Sequence, residues 1–579
     1  MKTKLLFSKR GLCYLIVLTL FTFNLQAQSC DCDYTLSSED LDSATINVIW
    51  GSEIEAGSKI CVPAGVYAAI RFYDLIGTPE NRITIVNCGG QVEFSAPSYS
   101  AISLQRSSNV VLTGTGDSSI DYGFKISYTN SGAAGLYLEN FTTDVEIDHV
   151  EITNTGFAGI MGKTDPVCSK PETWRSAGFV MKNINIHDNY IHDVGGEGIY
   201  LGFTGGYKVD SNRTCDGTPV FGHWLEDITI EDNIIDYTGL DGIQVNLARS
   251  NCKIMNNIVD HYAQNQQTFQ DFAMSIGGGI YEIYNNRMYN SGTLKGKGIQ
   301  LISAQSGTKV YNNVIEDNTF HGMFIHQRHE FDDTSEGYKI YNNTIIRPEN
   351  SGIHYNTTIT SSENGSLIGT RQDAVPTYLM NNFILDPGND FEGGNTWKQN
   401  NESYLDFNNK STRDAMLAYT LTNYMTRDTT GLELLADNSL NHYAITSSTS
   451  LLVDAGTDVA TFGLIEDIRG VERPQGYGYD IGAFEFDYPE GWTPSQARAM
   501  NPKDLNIVVY PNPTANEFAV TGSKVTGATL FIRSMKGEVV HTTYNYDGEN
   551  INISGLKKGA YLVSAINNGE TNTAKLVKK

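Results

Sequence analysis

Glu197 and Asp241 are the first residues in this sequence whose types and positions suggest chemistry. Each acid directly precedes a Gly-Ile pair, at Gly198-Ile199 and Gly242-Ile243. If the two pairs lie on neighbouring strands, the carboxyls are about 5 Å apart; each then raises the other's pKa, which suits acid/base catalysis. The same two acids would suit Ca²⁺, an ion that prefers hard oxygen ligands. Solvated acids on an ordinary polar face are the alternative interpretation.

Other reactive side chains recur around the same kind of Gly-apolar pair. Further catalytic residues are predicted among those that can exchange a proton or carry a charge: Lys163, Tyr200, His321 and His326. Substrate binding is predicted for the remaining polar members of the set: Gln244, Asn246, Lys297, Gln300, Arg328 and His354. These residue types would suit a polysaccharide lyase. Such an enzyme needs a base that removes the proton beside a uronate carboxylate, and a cation that neutralises that carboxylate. A single histidine is more often structural, but several on one face favour a functional role.

A repeated element must hold these residues in place. One polar position recurs along the chain, at His149, Asn189, Asn233, Asn257, Asn286, Asn313, Asn343 and Asn382. The shorter intervals are 24 to 30 residues long, and the longer ones contain an inserted loop. Apolar residues alternate with period two around these positions, which predicts strands. Each strand finds its partner one repeat away, so the sheets are parallel, and the stacked asparagines have a structural role.

The repeats resemble the right-handed parallel β-helix proteins of the pectin-lyase-like superfamily. The opening Gly65-Val-Tyr and the closing Asp480-Ile-Gly-Ala-Phe-Glu are similar to segments of those proteins. The resemblance implies an all-β, right-handed solenoid over residues 28–486, with an N-terminal cap and a closing C-terminal segment. His321-Gly322 lacks the preceding arginine of chondroitinase-B-like lyases, and no other catalytic motif of the superfamily is found. No catalytic residue therefore carries over from a named family.

The C-terminal part has a different character. After a linker at residues 487–503, the segment 504–579 contains Val509-Tyr-Pro-Asn-Pro-Thr and Gly559-Ala-Tyr. It resembles the sorting domain of the type IX secretion system, which implies a small β-sandwich that the export machinery recognises. A small carbohydrate-binding or immunoglobulin-like module is the alternative.

The N-terminus and the charge also predict export. Four basic residues precede an apolar run at residues 11–23, which is too short to span a bilayer comfortably, so residues 1–27 are predicted to be a signal peptide. No other segment is apolar enough to cross a membrane. The formal net charge of −25 argues against general nucleic-acid binding, which needs clustered Lys and Arg. We expect a secreted or cell-surface monomer.

Seven cysteines follow the predicted signal peptide, and export permits disulfides. Four of them crowd the N-terminal cap, at Cys30, Cys32, Cys61 and Cys88. Cys168 and Cys215 lie in the two long insertions, so a bridge between them is predicted. The odd number leaves at least one thiol free.

These observations favour a carbohydrate-active protein that acts on an extracellular polysaccharide as a lyase or a glycoside hydrolase. Aromatic residues in or near the insertions can stack on sugar rings or pack the loops: Trp174, Phe203, Tyr207 and Trp224. The alternative is a non-catalytic cell-surface protein that binds glycans or mediates adhesion. Ca²⁺ is the only cofactor considered, with Glu197 and Asp241 as its ligands.

Overall fold

The structure is a computed structural model that describes residues 30–489 and 507–579. The residues not described within these ranges are 98, 208–210, 212, 293–295, 328–336, 357–358, 364–365, 372–376, 389–396, 400–401, 408–419, 438, 513, 523–524, 535–538 and 568–569. The predicted signal peptide and Arg328 therefore lie outside the described residues, as does most of the predicted linker.

Most coils contribute three short strands, which pair in parallel with the strands of the next coil. Ladder A contains Ser108–Thr113, Thr143–Asp148, Val180–His187, Trp224–Glu231, Ala248–Met255, Tyr281–Tyr284, Lys309–Tyr311, Lys339–Tyr341, Tyr378–Met380 and Thr420–Leu421. Ladder B contains Phe124–Thr129, Val150–Thr153, Tyr190–Val194, Ile234–Thr238, Ile258–Asp260, Arg287–Met288, Val314–Glu316, Thr344–Ile346, Phe383–Leu385 and Tyr424–Thr426. Lys59–Tyr67 and Ile83–Ala96 are long strands that start in ladder A and continue into ladder B, and Tyr34–Thr35 pairs with the first of them.

Ladder C is the third face and contains the Gly-apolar motifs. Its parallel strands are Asn47–Trp50, Ile70–Tyr73, Ile102–Gln105, Leu136–Glu139, Ile160–Gly162, Ile199–Leu201, Ile243–Asn246, Phe272–Gly277, Lys297–Ile302, Met323–His326, Ile353–Asn356 and Glu402–Phe407, with Trp397–Gln399 antiparallel at the end. Short hairpins pair Thr214–Cys215 with Thr218–Pro219, and Ile359–Glu363 with Ser366–Arg371. Single 3-10 turns lie at Gly51–Glu53, Pro171–Thr173, Arg175–Ala177 and Ala460–Phe462. The predicted all-β parallel solenoid is confirmed.

The interior of the solenoid is filled by columns of aliphatic side chains, one from each coil. In ladder A, Ile147 is in register with Ile186, which is in register with Ile230 and then Ile254. All four are fully buried. Burial of such a side chain contributes about 1.5–3 kcal/mol, so the repeated aliphatic positions of the sequence are also its main source of stability.

An asparagine ladder runs along the corner between ladders A and B. The side-chain amide nitrogen of Asn189 donates to Oδ1 of Asn233 at 3.0 Å, and the same bond repeats through each predicted asparagine to Asn382 and on to Asn423. The residue before most of these asparagines has a positive φ, for example Asn312 at 53°, which asparagine tolerates better than most residues. This conformation turns the chain at the corner.

The predicted place of His149 in this ladder is wrong by one residue. Its backbone N–H donates to the carbonyl of Asp188, and Glu151 is in register with Tyr190, so His149 matches Asp188. His149 also has a positive φ of 53°, like Asp188 at 52°. The ladder begins instead at Asn189, whose Oδ1 accepts the N–H of Val150 at 3.0 Å.

Non-repetitive chain covers both ends of the solenoid. At the N-terminal end, disulfides join Cys30 to Cys88 and Cys32 to Cys61. Residues 427–486, which we call the closing segment, follow the last coil and pack on ladder B through a hydrophobic cluster of their own. The closing segment also accepts hydrogen bonds from three corner asparagines, at Asn312 to Glu466, Asn342 to Asp480 and Asn381 to Thr457.

The C-terminal part forms two antiparallel sheets. One contains Ile507–Tyr510, Glu517–Gly522 and Ile551–Asn552, and the other contains Val539–Thr543, Thr529–Ser534, Gly559–Asn567 and Glu570–Lys578. Its buried residues, including Phe518 and Val563, form a separate hydrophobic cluster. Within the described part of the chain, no helix has the length and apolar character needed to cross a membrane.

Candidate functional site

Three rows of side chains point outward from ladder C, because alternate residues of a strand face opposite sides of the sheet. The middle row contains Arg71, Ser103, Tyr137, Met161, Tyr200, Gln244, Ser275, Gln300, Phe324, His354 and Asp406. The first row contains Glu197, Asp241, Phe272, Lys297, His321 and Ser351. It lies three residues earlier, at or just before the start of each strand, and so outside the two-residue alternation that relates the other two rows. The third row lies two residues later and includes Asn246 and His326. The structure thus places the described predicted site residues on one face.

That face is largely enclosed. Glu197 and Asp241 are 2% and 0% exposed, and Tyr200, Gln244, Lys297, Gln300, His321 and His354 are also buried. Side chains in a row are only about 4.8 Å apart, so large neighbours cover one another. Thr204, from the second long insertion, adds a cover by hydrogen bonding to the hydroxyl of Tyr200 at 2.5 Å and to the amide of Gln244 at 2.8 Å.

The carboxylate cluster comprises Lys163, Glu197, Tyr200, Asp241 and Gln244. The backbone N–H of Gly198 donates to the carbonyl of Asp241, which places the two acids on adjacent strands as predicted. Nζ of Lys163 lies 3.5 Å from the hydroxyl of Tyr200 and 3.1 Å from Oδ2 of Asp165. The cluster combines two carboxyls, an ammonium group and a phenol within neighbouring coils.

Burial sets the protonation of both acids in this cluster. It raises the pKa of Glu197 to about 7, and the charge of Lys163 opposes only part of this shift. It raises the pKa of Asp241 well above its ordinary range; the N–H of Phe272, which donates to Oδ1 at 2.9 Å, opposes the shift, and the charge of Glu197 adds to it. One oxygen of each carboxyl, and the amide oxygen of Gln244, have no hydrogen-bond partner among the described residues. These enclosed oxygens have unused hydrogen-bonding capacity.

The ammonium group of Lys163 stays charged in this setting. Burial lowers its pKa, but Tyr200 and Asp165 together raise it by more, and the net change is upward. Lys163 also lies over the ring of Tyr200, 4.6 Å from the centroid. A fixed cation beside a phenol can hold an anionic group of a substrate.

The imidazole cluster comprises Lys297, His321, His354 and Asp406. Nδ1 of His354 is 2.7 Å from Oδ2 of Asp406, and the two imidazole rings stack with centroids 4.7 Å apart. Nδ1 of His321 is 2.6 Å from the hydroxyl of Ser351. Burial, followed by the charges of His354 and Lys297, holds the pKa of His321 well below its ordinary value, so this ring is neutral at neutral pH.

The acids of the first cluster and the histidines of the second lie too far apart to act on one bond. Three strand steps separate the coil of Asp241 from that of His321, which corresponds to about 14 Å, although Lys297 is only two steps from Asp241. Ser275, on the coil between Asp241 and Lys297, donates a hydrogen bond to Gln300 at 3.1 Å. The predicted set of catalytic residues is therefore divided, and the carboxylate cluster is the compact part of it.

An open groove of about 800 Å³ runs over the corner between ladders B and C. Gly195 and Gly239 line it, two residues before Glu197 and Asp241 respectively. Tyr128, Tyr237, Asn154, Asn265 and Asp193 also line it. The groove therefore passes close to the coils that carry the two acids.

Comparison with protein families identifies the two parts of the chain. Residues 123–280 match the right handed beta helix region family. Residues 508–579 match the secretion system C-terminal sorting domain family. The chain therefore contains a right-handed β-helix region and a type IX secretion C-terminal sorting domain. It is therefore exported, either to the cell surface or into the medium.

Solved structures similar to this β-helix protein include several with low sequence identity. A pectate lyase matches with 12% identity and a TM-score of 0.39, over 78% of this chain and 99% of its own. A family 6 polysaccharide lyase from Pseudopedobacter saltans matches with 12% identity and a TM-score of 0.32, over 58% and 84%. The catalytic domain of an α-1,3-glucanase in complex with nigerose matches with 10% identity and a TM-score of 0.29, over 67% and 69%. None of the curated proteins matches the chain.

The two long insertions of the β-helix protein pack against each other. A disulfide joins Cys168 to Cys215, as predicted from the sequence. Arg175 donates to the backbone carbonyls of Tyr207 and Gly222 at 2.6 and 2.8 Å, and its guanidinium lies 3.7 Å from the centroid of Trp224. Trp224 also contacts Tyr207 edge to face. These two aromatic rings therefore pack the insertions together.

Three polar residues of this face were not predicted from the sequence. Asp406 pairs with His354, Ser351 pairs with His321, and Asp271 pairs with Lys297 at 2.8 Å. Asp406 lies on a strand without a Gly-apolar pair, and Asp271 precedes Phe272-Ala273, where alanine replaces the glycine. Ser351 directly precedes Gly352-Ile353, so the motif position that picked out Glu197 and Asp241 also indicated it. For Asp406, strand alternation was the only available signal.

Ca²⁺ was considered as an ion for Glu197 and Asp241. Their unpartnered oxygens and that of Gln244 are of the type that Ca²⁺ prefers, but the ion takes six to eight oxygens. Elsewhere in the described residues, two groups that combine acids with a histidine are close enough to share an ion: Glu146, Asp148 and His187, and Asp236, Asp260 and His261. Both lie on the outer surfaces of ladders A and B, away from the candidate site.

Proposed function

We propose that this β-helix protein cleaves glycosidic bonds of an extracellular polysaccharide at the carboxylate cluster, with Glu197 as the proton donor. The observation that carries the proposal is the pair of buried acids on adjacent strands, each with one unpartnered oxygen. A pKa near 7 keeps Glu197 protonated over much of the neutral range. A carboxylic acid in that state can protonate the leaving oxygen of a sugar.

Asp241 is the candidate partner in a hydrolytic reaction. Adjacent strands are about 4.8 Å apart, close to the separation of roughly 5–5.5 Å between the two carboxyls of retaining glycosidases. Burial is the main cause of the raised pKa of Asp241. Asp241 can ionise only when substrate and water enter the site and reduce this effect.

Elimination is the second candidate reaction, and the contact between Lys163 and Tyr200 favours it. The ammonium group can neutralise a uronate carboxylate, while the phenol lies 3.5 Å from it and can exchange a proton. Hydrolysis releases a reducing end alone, whereas elimination also creates an unsaturated sugar that absorbs ultraviolet light. The products therefore distinguish the two reactions.

The first prediction is that Glu197→Gln lowers turnover at least about 100-fold, since removal of a general acid typically costs 10²–10⁴-fold. We would incubate the purified protein with neutral glucans, polygalacturonate and alginate, and measure reducing ends and ultraviolet absorbance. Asp241→Asn should lose hydrolysis to a similar extent. Glu282→Gln, which removes an ion pair with Lys309 on ladder A, is the matched control and should stay within about twofold.

Two outcomes would contradict this assignment. Full turnover by the Glu197→Gln variant would exclude Glu197 as the acid. Binding without any product on the whole panel would favour the alternative function, a non-catalytic glycan-binding or adhesive protein. The enclosure of the two acids is the observation that favours this alternative.

A further inference from the structure

An exposed aromatic platform lies at the N-terminal end of ladder C, away from the carboxylate cluster. Trp50 is 56% exposed, and its ring stacks on Tyr73 with centroids 4.6 Å apart and planes inclined by 22°. Trp50 belongs to the first strand of the ladder, so among the described residues no further strand of ladder C covers it. One face of the two-ring stack is therefore exposed.

Polar side chains are fixed around this platform by hydrogen bonds. Arg106 lies over the ring of Tyr73, 5.3 Å from the centroid, and Asp74 holds it through two bonds of 2.7 and 2.8 Å. The amide of Gln105 donates to the hydroxyl of Tyr73 at 3.3 Å and accepts from Asn140 at 2.8 Å. These bonds fix the polar groups beside Tyr73, the ring on which Trp50 stacks, and so support the base of the platform. An aromatic face of this kind can pack on the apolar side of a sugar ring.

The platform and the carboxylate cluster lie on the same outward face. The third row contains Trp50, Tyr73, Gln105 and Glu139 in register. Lys163, on the next coil, continues this row, because its N–H donates to the carbonyl of Leu138, the residue before Glu139. Four strand steps of about 4.8 Å place Trp50 roughly 19 Å from the coil of Lys163. A polysaccharide chain parallel to the solenoid axis can therefore reach both places.

We propose that the Trp50–Tyr73 platform is a remote binding subsite that stacks on the apolar face of a sugar ring of the polysaccharide. The identity of the ligand rests on the proposed function, but the platform itself requires no catalysis. The subsite holds a long chain along the axis and raises the affinity for long substrates over short ones.

The size of the patch favours a sugar over a second protein. Its exposed apolar residues are Ile46, Val48 and Trp50, with exposed fractions of 40%, 46% and 56%. A large aromatic side chain buries about 150–250 Å², so the partly exposed group offers far less than the roughly 800 Å² per partner of a stable protein interface. One or two sugar rings fit that area.

The test uses the full chain in the Glu197→Gln background, so that no substrate is consumed. We would measure the Kd of Trp50→Ala for neutral glucans, polygalacturonate and alginate, and for short and long oligosaccharides of the polymer that binds. The expected result is about fivefold or greater loss of affinity for long chains, with no change for the shortest ones. Tyr544→Ala, an exposed aromatic residue of the sorting domain, is the control and should bind like its parent.

Several results would overturn the subsite. These are unchanged binding of long chains by Trp50→Ala, equal loss for short and long chains, and a dimer in sedimentation that Trp50→Ala dissociates. Absence of binding by the parent to every polymer would also overturn it. If Glu197→Gln retains turnover while Trp50→Ala still loses long chains, the catalytic proposal fails and the subsite stands.

Discussion

At the scale of single residues, the enclosure of Glu197 links stability to pH. Its pKa rises from 4.5 in the unfolded chain to about 7 in the folded one. Below pH 4.5 Glu197 is protonated in both the folded and the unfolded chain. Between pH 4.5 and about 7 it is protonated only in the folded chain. Above 7 both are ionised, and the folded state bears a buried charge. Stability from this group is therefore lost as the pH rises from 4.5 to 7, by about 3 kcal/mol.

We predict that Glu197→Gln stabilises the fold at high pH. The amide has the shape of the acid but never ionises, so the Tm should exceed that of the wild type at pH 8 and equal it near pH 4.5. Scanning calorimetry at both pH values measures the difference. Glu80→Gln, at an exposed position, is the control and should show no such trend. A lower Tm than wild type at pH 8 would contradict the prediction.

Some site residues could be read from the sequence and others could not. Glu197 and Asp241 share a place relative to Gly-Ile, so their pairing on adjacent coils was predictable. Asp406 contacts His354 from 52 positions away. The strand of Asp406 lacks the Gly-apolar pair that sets the register, so the neighbouring sequence did not predict this contact.

At the scale of elements, the corner between ladders A and B depends on buried amides. The side-chain nitrogen of Asn286 donates to the carbonyls of Ile254 and Tyr284 at 2.8 and 3.0 Å and to Oδ1 of Asn313 at 3.0 Å. Its own Oδ1 accepts from Asn257. Every bonding group of the amide is used, and Asn286 is fully buried.

We predict that Asn286→Ala destabilises the protein by about 3 kcal/mol or more. Each buried group left without a partner costs about 1–3 kcal/mol, and several are left at once. Urea unfolding followed by circular dichroism gives the difference. Asn290→Ala removes an exposed bond to Asp260 and should cost less than about 1 kcal/mol. Equal effects at the two positions would mean that the ladder contributes no special stability.

The ladders themselves were predictable because alternation and the asparagine period agree with each other. The enclosure of ladder C was not predictable. It depends on Thr204, within an irregular insertion whose path no period describes. The one-residue error at His149 has a similar origin, because a single coil corner offers too few matched residues to fix its register.

At the scale of the whole molecule, the chain has separate hydrophobic cores for the solenoid and the sorting domain. The aliphatic columns of the solenoid and the cluster around Phe518 and Val563 share no residue. Each part can therefore keep its fold without burying surface in the core of the other. Export information and the proposed chemistry lie in different parts of the chain.

We predict that deletion of residues 508–579 stops export and leaves the solenoid folded. The truncated protein should remain in the cell, and its Tm should match that of the solenoid transition of the full chain. Cell fractionation and calorimetry measure the two effects. Fusion of the same residues to an unrelated exported reporter is the positive control. Normal release of the truncated protein would contradict the prediction.

The closing segment also determines how the molecule bears force. It bonds to corner asparagines on three successive coils, at Asn312, Asn342 and Asn381, and it continues into the tail. Tension applied through the tail reaches Asp480 first, then Glu466 and then Thr457, before it reaches the terminal coil. The closing segment thus places three attachments between the tail and the last coil of the solenoid.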